Sequence, residues 1–188
     1  MAAGTVMKDV YTSLAAVLQA NVSELASSQS ITSQSPSVVN AGPGIILSIF
    51  PFQVRHNQFL ANEPPIREGL TTMRPAPLAL DVYYAFTPFS TTEFSEATVV
   101  EKIVSTFHDY PVLRGDALKG NLVVNGNEEL KIVPVEMSTD DTNKLWSLFS
   151  KPYKTFVSFM VTPVRIASSR TSQFTRVIEK GIDYSRIG

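Results

Sequence analysis

Apolar residues along the chain recur at two spacings, one typical of helices and one of strands. Apolar positions three and four residues apart predict amphipathic helices over residues 5–20 and about 92–110. A third helix is predicted to begin after Ser138, which suits an N-cap, and to stop before Pro152. The buried stripe predicted for this third helix is Leu145, Trp146, Leu148 and Phe149.

Three apolar runs predict the main strands. Residues 78–87 carry apolar side chains on both faces, so we expect them to form a central strand. Residues 45–54 and 155–166 predict two further strands. Because proline has no N–H to donate to a neighbouring strand, Pro51 and Pro163 predict that these two strands meet an edge or a bend there.

The remaining strand signal is an Asn-Gly turn at residues 125–126. It predicts a hairpin that joins residues 122–124 to residues 130–137. Together these segments predict an α+β fold in a single domain over residues 1–166. We expect a mostly antiparallel sheet of four or five strands with three helices packed on it.

Two loops and a terminal arm complete the predicted organisation. Residues 27–43 are rich in serine, and residues 51–77 hold several prolines, which predicts an irregular, semi-rigid loop. Residues 167–188 mix charges with isolated apolar side chains. They are too polar to form a core alone, so we expect an extended C-terminal arm that docks on another surface.

The composition narrows the classes of function. The chain has 188 residues, a formal net charge of −1 and no cysteine. Disulfides, thiolate metal sites and cysteine nucleophiles are therefore excluded, and the lack of a basic surplus argues against nucleic-acid binding. The sequence also shows no signal-peptide pattern and no apolar run long enough for a bilayer, so no membrane insertion is expected.

Candidate catalytic chemistry is limited to two adjacent residues. His108 and Asp109 resemble a base and its orienting acid, which leaves open a hydrolase or a small-ligand site. Adjacent side chains point in different directions, however, and no nucleophile motif accompanies them. Gly115 and Gly120 are spaced like part of a phosphate-binding loop, but the Lys-Ser/Thr that should follow is missing. We therefore expect no enzyme activity, cofactor or metal.

Four charged residues suggest structural or partner contacts instead. Asp81 and Arg165 each lie within a predicted strand, where an unpaired charge is costly. We expect Asp81 to pair with Arg165, or alternatively with Arg74, and so to fix the strand register. Arg67 and Arg74 lie in the proline-rich loop, and their guanidinium groups suit the carboxylates of a protein partner.

Four stretches, in order, resemble the cap family of contractile injection systems, the phage-tail-like particles exemplified by antifeeding prophages and virulence cassettes. The stretches are RPAPLALDVYYAFTP at 74–88, HDYPVL at 108–113, LW at 145–146 and YKTFVSFMVTPVRI at 153–166. The resemblance extends over about residues 6–166. It implies a tail-terminator fold and a structural, non-enzymatic role.

The same resemblance implies the partners. Family members form a six-fold ring on the last rings of the inner tube and the sheath, where they end polymerisation. For this chain it implies a homohexamer, contacts with the inner-tube and sheath proteins, and assembly in the cytoplasm into a particle that is cytosolic, membrane-anchored or released. The arm residues expected to touch a neighbour or the sheath are Phe174, Arg176, Ile178 and Tyr184.

Overall fold

A computed structural model describes residues 4–67, 69 and 71–173 of the chain. The helices are α1 (Val6–Asn21), α2 (Ser95–Asp109) and α3 (Thr139–Phe149). The strands are β1 (Ile31–Thr32), β2 (Ile46–His56), β3 (Ile66–Arg67), β4 (Thr72–Arg74), β5 (Leu78–Phe89), β6 (Val112–Arg114), β7 (Glu129–Pro134), β8 (Val157–Ile166) and β9 (Ser172–Gln173).

The strands form one large and one small sheet. The large sheet has six strands in the order β1-β2-β5-β8-β7-β6, and its pairs are antiparallel except for β1 and β2. β5 lies between β2 and β8, which confirms the central strand predicted over residues 78–87. The α+β class with three helices is also confirmed. The sheet is larger than the four or five strands expected, because β1 forms inside the serine-rich loop.

Pro51 and Pro163 lie where their strands lose a neighbour. β1 pairs only with Leu47 and Ser48, so Pro51 faces a side of β2 on which no described strand lies. In the same way, Thr162 is the last residue of β8 that pairs with β7, and Pro163 follows it. Each proline therefore lies in a part of its strand that has no described neighbour on one side, as the sequence predicts.

The predicted hairpin at the Asn-Gly turn is wrong. β7 pairs with β6, and residues 122–124 form a turn in which Leu122 is fully buried. The Asn125 N–H donates to the carbonyl of Leu122, and its side chain donates to the carbonyl of Asn121. These local hydrogen bonds compete with strand pairing, so the Asn-Gly pair closes a compact turn and not a hairpin.

The proline-rich loop is more regular than expected. β2 continues to His56, and the small sheet, in the order β3-β4-β9, takes two of its strands from residues 51–77. Its third strand belongs to the predicted arm, because Ser172 and Gln173 pair with Met73 and Thr72. The first part of the arm therefore docks on the proline-rich loop of its own chain.

The helices cover both faces of the large sheet. α1 and α2 share the main core with β5 and β8, where the rings of Phe86, Phe107 and Phe159 lie 5.0–5.5 Å apart between centroids. α3 packs on the opposite face, against Phe50 and other aromatic side chains. The predicted stripe of α3 is right except for Leu148, which points away from the sheet and is 80% exposed.

A buried carboxylate fastens the loop after β6 to α1. Asp9 accepts hydrogen bonds from the Thr5 hydroxyl (3.0 Å) and from the Asn121 N–H (3.1 Å). One turn along α1, the Ser13 hydroxyl accepts a hydrogen bond from the Lys119 N–H at 2.8 Å. Gly120, between these two loop residues, lies directly against the Asp9 carboxylate.

Candidate interaction surfaces

The proline-rich loop leaves β2 at a buried asparagine. The Asn57 side chain donates to the Asp81 carboxylate (2.8 Å) and to the Thr162 hydroxyl (3.2 Å). Its carbonyl oxygen accepts from the N–H groups of Phe59 and Leu60, both at 3.1 Å. The Thr162 hydroxyl also donates to Asp81. Asp81 is thus satisfied by two neutral donors, and the loop starts from a fixed point on β5 and β8.

Arg165 pairs with a glutamate of the proline-rich loop. Its guanidinium nitrogens lie 2.6 and 2.9 Å from the two oxygens of Glu63, a bidentate arrangement. The predicted pair between Asp81 and Arg165 is therefore wrong. Arg165 lies opposite Ala79 in the register, and β5 has a bulge between Leu80 and Val82, which leaves Asp81 facing Asn57.

This ion pair makes a testable contribution to stability. The hydrogen bonds from Arg165 hold the pKa of Glu63 below its ordinary value of 4.5. A lowered pKa in the folded state stabilises the fold above the unfolded-state pKa, and this stabilisation is lost as the pH falls through the folded value. We expect Glu63→Gln to lower the free energy of unfolding by about 0.5–1 kcal/mol at neutral pH, and by progressively less below a pH of about 4.5.

Urea unfolding of both proteins across this pH range measures the difference. Glu101→Gln is the control, since Glu101 is exposed and makes no ion pair among the described residues. A destabilisation that stays constant into strong acid would contradict the assignment, because it would then not depend on the Glu63 charge.

Arg165 also marks the place where three loops meet. The side chain of Asn127 makes two hydrogen bonds to the backbone of Arg165. It donates to the Arg165 carbonyl (2.9 Å) and accepts from the Arg165 N–H (2.7 Å). Ile66, Pro77 and Gly126 line a shallow pocket together with Glu63 and Arg165. The proline-rich loop, the Asn-Gly turn and the end of β8 therefore form one end of the sheet.

Exposed apolar side chains gather at this end. We call them the loop-end surface, and they are Phe59, Ile66, Leu78 and Val124. Phe59 is 97% exposed, and an exposed patch of several apolar side chains is typical of an interaction surface. The sequence analysis missed this surface, because a single phenylalanine in a polar loop has no periodicity that would reveal its exposure.

The predicted arginines lie on the small sheet of the same loop. Arg67 is an exposed residue of β3, and Arg74 is a half-buried residue of β4 that lies opposite Ile66 in the register. Both are therefore close to the loop-end surface, and their role in partner binding stays a prediction. The arm residues predicted to contact a partner, Phe174, Arg176, Ile178 and Tyr184, lie outside the described residues.

The candidate catalytic pair is not assembled into a site. His108 and Asp109 end α2 with exposed side chains, and no hydrogen bond or ion pair joins them. Nearby acidic groups have structural roles: Asp140 pairs with Lys144, and the Ser138 hydroxyl caps α3 by accepting from the Asp141 N–H. In the part of the chain that the structure describes, no group of three histidine, aspartate or glutamate side chains is placed to hold a metal ion.

The described part of the chain also has apolar depressions on its surface, two of which bear on the later argument. The α2 groove, about 630 Å³, lies between the end of α2, β7 and the segment that leads into β8, with His108 among its lining residues. The β2 cavity, about 410 Å³, lies between α1 and β2 and is lined by Met7, Tyr11 and Pro51 among others. Tyr84 also lines the β2 cavity, and burial raises the pKa of its phenol above the ordinary value.

No helix in the described ranges is long and apolar enough to span a bilayer.

Comparisons with known proteins agree with the fold. None of the curated proteins matches the sequence. Among solved structures, the sheath/tube terminator of PVC, an extracellular contractile injection system in its extended state, superimposes with a TM-score of 0.66 at 13% identity. This match covers 95% of the present chain and 64% of the other. The tube-terminating cap of the anti-feeding prophage superimposes with a TM-score of 0.58 at 12% identity, over 93% and 60% of the two chains.

The present chain therefore spans a little under two thirds of the length of each of these solved structures. These two proteins are a terminator and a cap, which are structural components of injection particles. A family model, described as the Pvc16 N-terminal domain, matches residues 9–180. Since this match includes nearly the whole chain, the protein belongs to the Pvc16 N-terminal domain family.

Proposed function

We propose that this protein is the cap of a contractile injection system, a homohexameric ring on the distal end of the inner tube and sheath that stops further polymerisation. The observation that carries the proposal is the fold of nearly the whole chain, which is shared with a sheath/tube terminator and a tube-terminating cap. Membership of the Pvc16 N-terminal domain family supports the same role.

The surface of the domain supports a role in protein assembly. The loop-end surface exposes apolar side chains on a loop that is held at Asn57 and Glu63, so little ordering is needed when a partner binds. Arg67 and Arg74 lie beside it and suit carboxylates of the tube or sheath protein. The near-neutral net charge fits protein partners better than nucleic acid.

The proposal places assembly in the cytoplasm, as one component of a phage-tail-like particle. It applies equally to particles that stay in the cytosol, are anchored to a membrane or are released. A ring of identical chains requires a head-to-tail interface that closes on itself, so each chain must present two different complementary surfaces.

Deleting the gene and complementing it tests the proposal. Without the protein, we expect particles whose tubes vary widely in length, and the wild-type gene should restore uniform, capped tubes in negative-stain images. Complementation with Phe59→Asp should fail, because a charge at the most exposed position of the loop-end surface opposes burial against the partner.

Leu148→Asp is the matched control, because Leu148 is also strongly exposed but lies on α3, away from the loop-end surface. This variant should restore capped tubes. Uniform tubes in the deletion strain would overturn the proposed function. Full complementation by Phe59→Asp would leave the cap role intact but remove the loop-end surface from it.

A further inference from the structure

We infer that the free edge of β2, together with the β2 cavity beside it, receives residues 182–187 of a second copy of this chain as an added strand. The inference rests on the proposed function, since it names the two surfaces that close the ring. It assigns the tail of one chain to a defined place on the next.

The free edge begins where β1 stops. β1 pairs with Leu47 and Ser48 only, and no described strand lies beside β2 from Pro51 to His56, although β5 pairs with its other side. Unpaired backbone groups along an edge are a template for another strand. Pro51 donates no hydrogen bond and a bulge separates it from Gln53, so the edge suits a short added strand over residues 53–56.

The β2 cavity lies at the start of this edge. Pro51 lies opposite Tyr84 in the register, and both residues line the cavity under α1. Tyr84 is only 1% exposed, and its hydroxyl has no hydrogen-bond partner among the described residues. The hydroxyl is buried away from the cavity surface, so the apolar lining of the cavity is what favours an apolar side chain there.

A strand on the edge would direct alternate side chains toward the cavity and away from it. Val54 lies opposite the buried Val82, so its side chain is on the face of the sheet that holds the cavity. Arg55 is on the other face, where its guanidinium lies 5.4 Å from the centre of the Tyr83 ring. The occupant should therefore alternate apolar and acidic residues.

Residues 182–184 have this alternation. Asp183 lies between Ile182 and Tyr184 in the sequence. In a strand whose apolar residues Ile182 and Tyr184 face the cavity, Asp183 faces the side of Arg55. Charge and pattern thus complement the edge on both faces.

The starting point of the tail is also defined. Gln173 pairs with Thr72 on the small sheet, and the eleven residues from 174 to 184 reach at most about 36–40 Å when extended. The inference requires the β2 edge of the neighbouring chain to lie within this reach. Because the tail and the β2 edge are different surfaces of one chain, their pairing between copies is head-to-tail, as a closed ring requires.

Single cysteines test the inference in the full-length chain, which has none of its own. A Val54→Cys protein is mixed with an Arg186→Cys protein at the highest concentration at which both stay soluble, and a short bismaleimide is added. Both positions avoid the proposed anchor residues, and Val54 is half exposed on the edge. We expect covalent dimers of the two chains, at least about tenfold above the control mixture.

The control mixture replaces Val54→Cys by Leu148→Cys, which is more exposed but lies on α3. Crosslinking no greater than in the control would overturn the inference. A chain that carries both Val54→Cys and Arg186→Cys but crosslinks only within itself would also overturn it, in favour of the tail folding back on its own edge.

Different experimental results would overturn the proposed cap function and the proposed strand addition. Specific crosslinks between chains, together with uniform capped tubes in the gene-deletion strain, would overturn the proposed function and keep the strand addition. Loss of tube-length control on deletion, without specific crosslinks, would keep the cap role and overturn the strand addition.

Discussion

Gly120→Ala is expected to destabilise the domain by about 2–4 kcal/mol. Gly120 has a φ of +64°, and a Cβ built there would lie 2.3 Å from the Asp9 Oδ1 atom. Alanine therefore has to displace a buried carboxylate that accepts hydrogen bonds from the Thr5 hydroxyl and the Asn121 N–H. Displacement strains the backbone and also weakens the attachment of the loop to α1.

Gly115→Ala is the matched control for this prediction. Gly115 has a similar φ of +55°, but no atom lies within 4 Å of the position that its Cβ would take. The free energy of unfolding of Gly115→Ala should therefore fall by only about 1 kcal/mol, which is the cost of the left-handed backbone conformation for alanine. Urea unfolding followed by far-UV circular dichroism gives both values. Equal losses would show that the contact with Asp9 contributes nothing.

Gly120 also shows how a sequence motif can mislead. Its spacing from Gly115 resembles part of a phosphate-binding loop, and the missing Lys-Ser/Thr argues against that function. The structure supplies a different reason for the glycine, the close approach of Asp9 from a helix more than a hundred residues earlier. No local pattern announces this contact, because it depends on how α1 and the loop pack.

The parts of the fold that were predictable are those set by local periodicity. The apolar residues of α1 repeat every three to four positions, which indicates a helix with one buried face. The apolar run of β5 has no polar face, which indicates a strand that is buried on both sides. The N-cap of α3 at Ser138 followed from a short-range hydrogen bond for the same reason. The resemblance to the cap family agrees with these elements and with the family to which the chain belongs.

The wrong predictions concern which side chains and strands pair when they are far apart in the sequence. The sequence marks Asp81 and Arg165 as charges that need partners, and both have them. Which partner each one takes depends on a bulge in β5 and on the path of the proline-rich loop, which brings Glu63 to Arg165. The pairing of β7 with β6 is a similar case, because the Asn-Gly turn is local and the strand pairing is not.

Trp146→Ala is expected to have the largest effect, a loss of about 3–5 kcal/mol in the free energy of unfolding. α3 is held on the sheet by a small cluster, and Trp146 is at its centre, with ring centroids 5.6–5.8 Å from those of Tyr153, Phe149 and Phe156. Removing the indole leaves a cavity that the sheet face cannot collapse to fill. Trp146→Phe should lose less, because it keeps an aromatic ring and removes an indole N–H that has no partner among the described residues.

The control lies two residues away on the same helix. Leu148→Ala changes a side chain that is 80% exposed, so it should shift the free energy by no more than about 0.5 kcal/mol. Both substitutions end in alanine, so differences in helix propensity are small beside the effect of burial. Urea unfolding followed by far-UV circular dichroism measures all three variants without relying on tryptophan fluorescence. If Trp146→Ala unfolds at the same urea concentration as Leu148→Ala, the aromatic cluster does not hold α3, and the contacts of α3 with the sheet contribute little to stability.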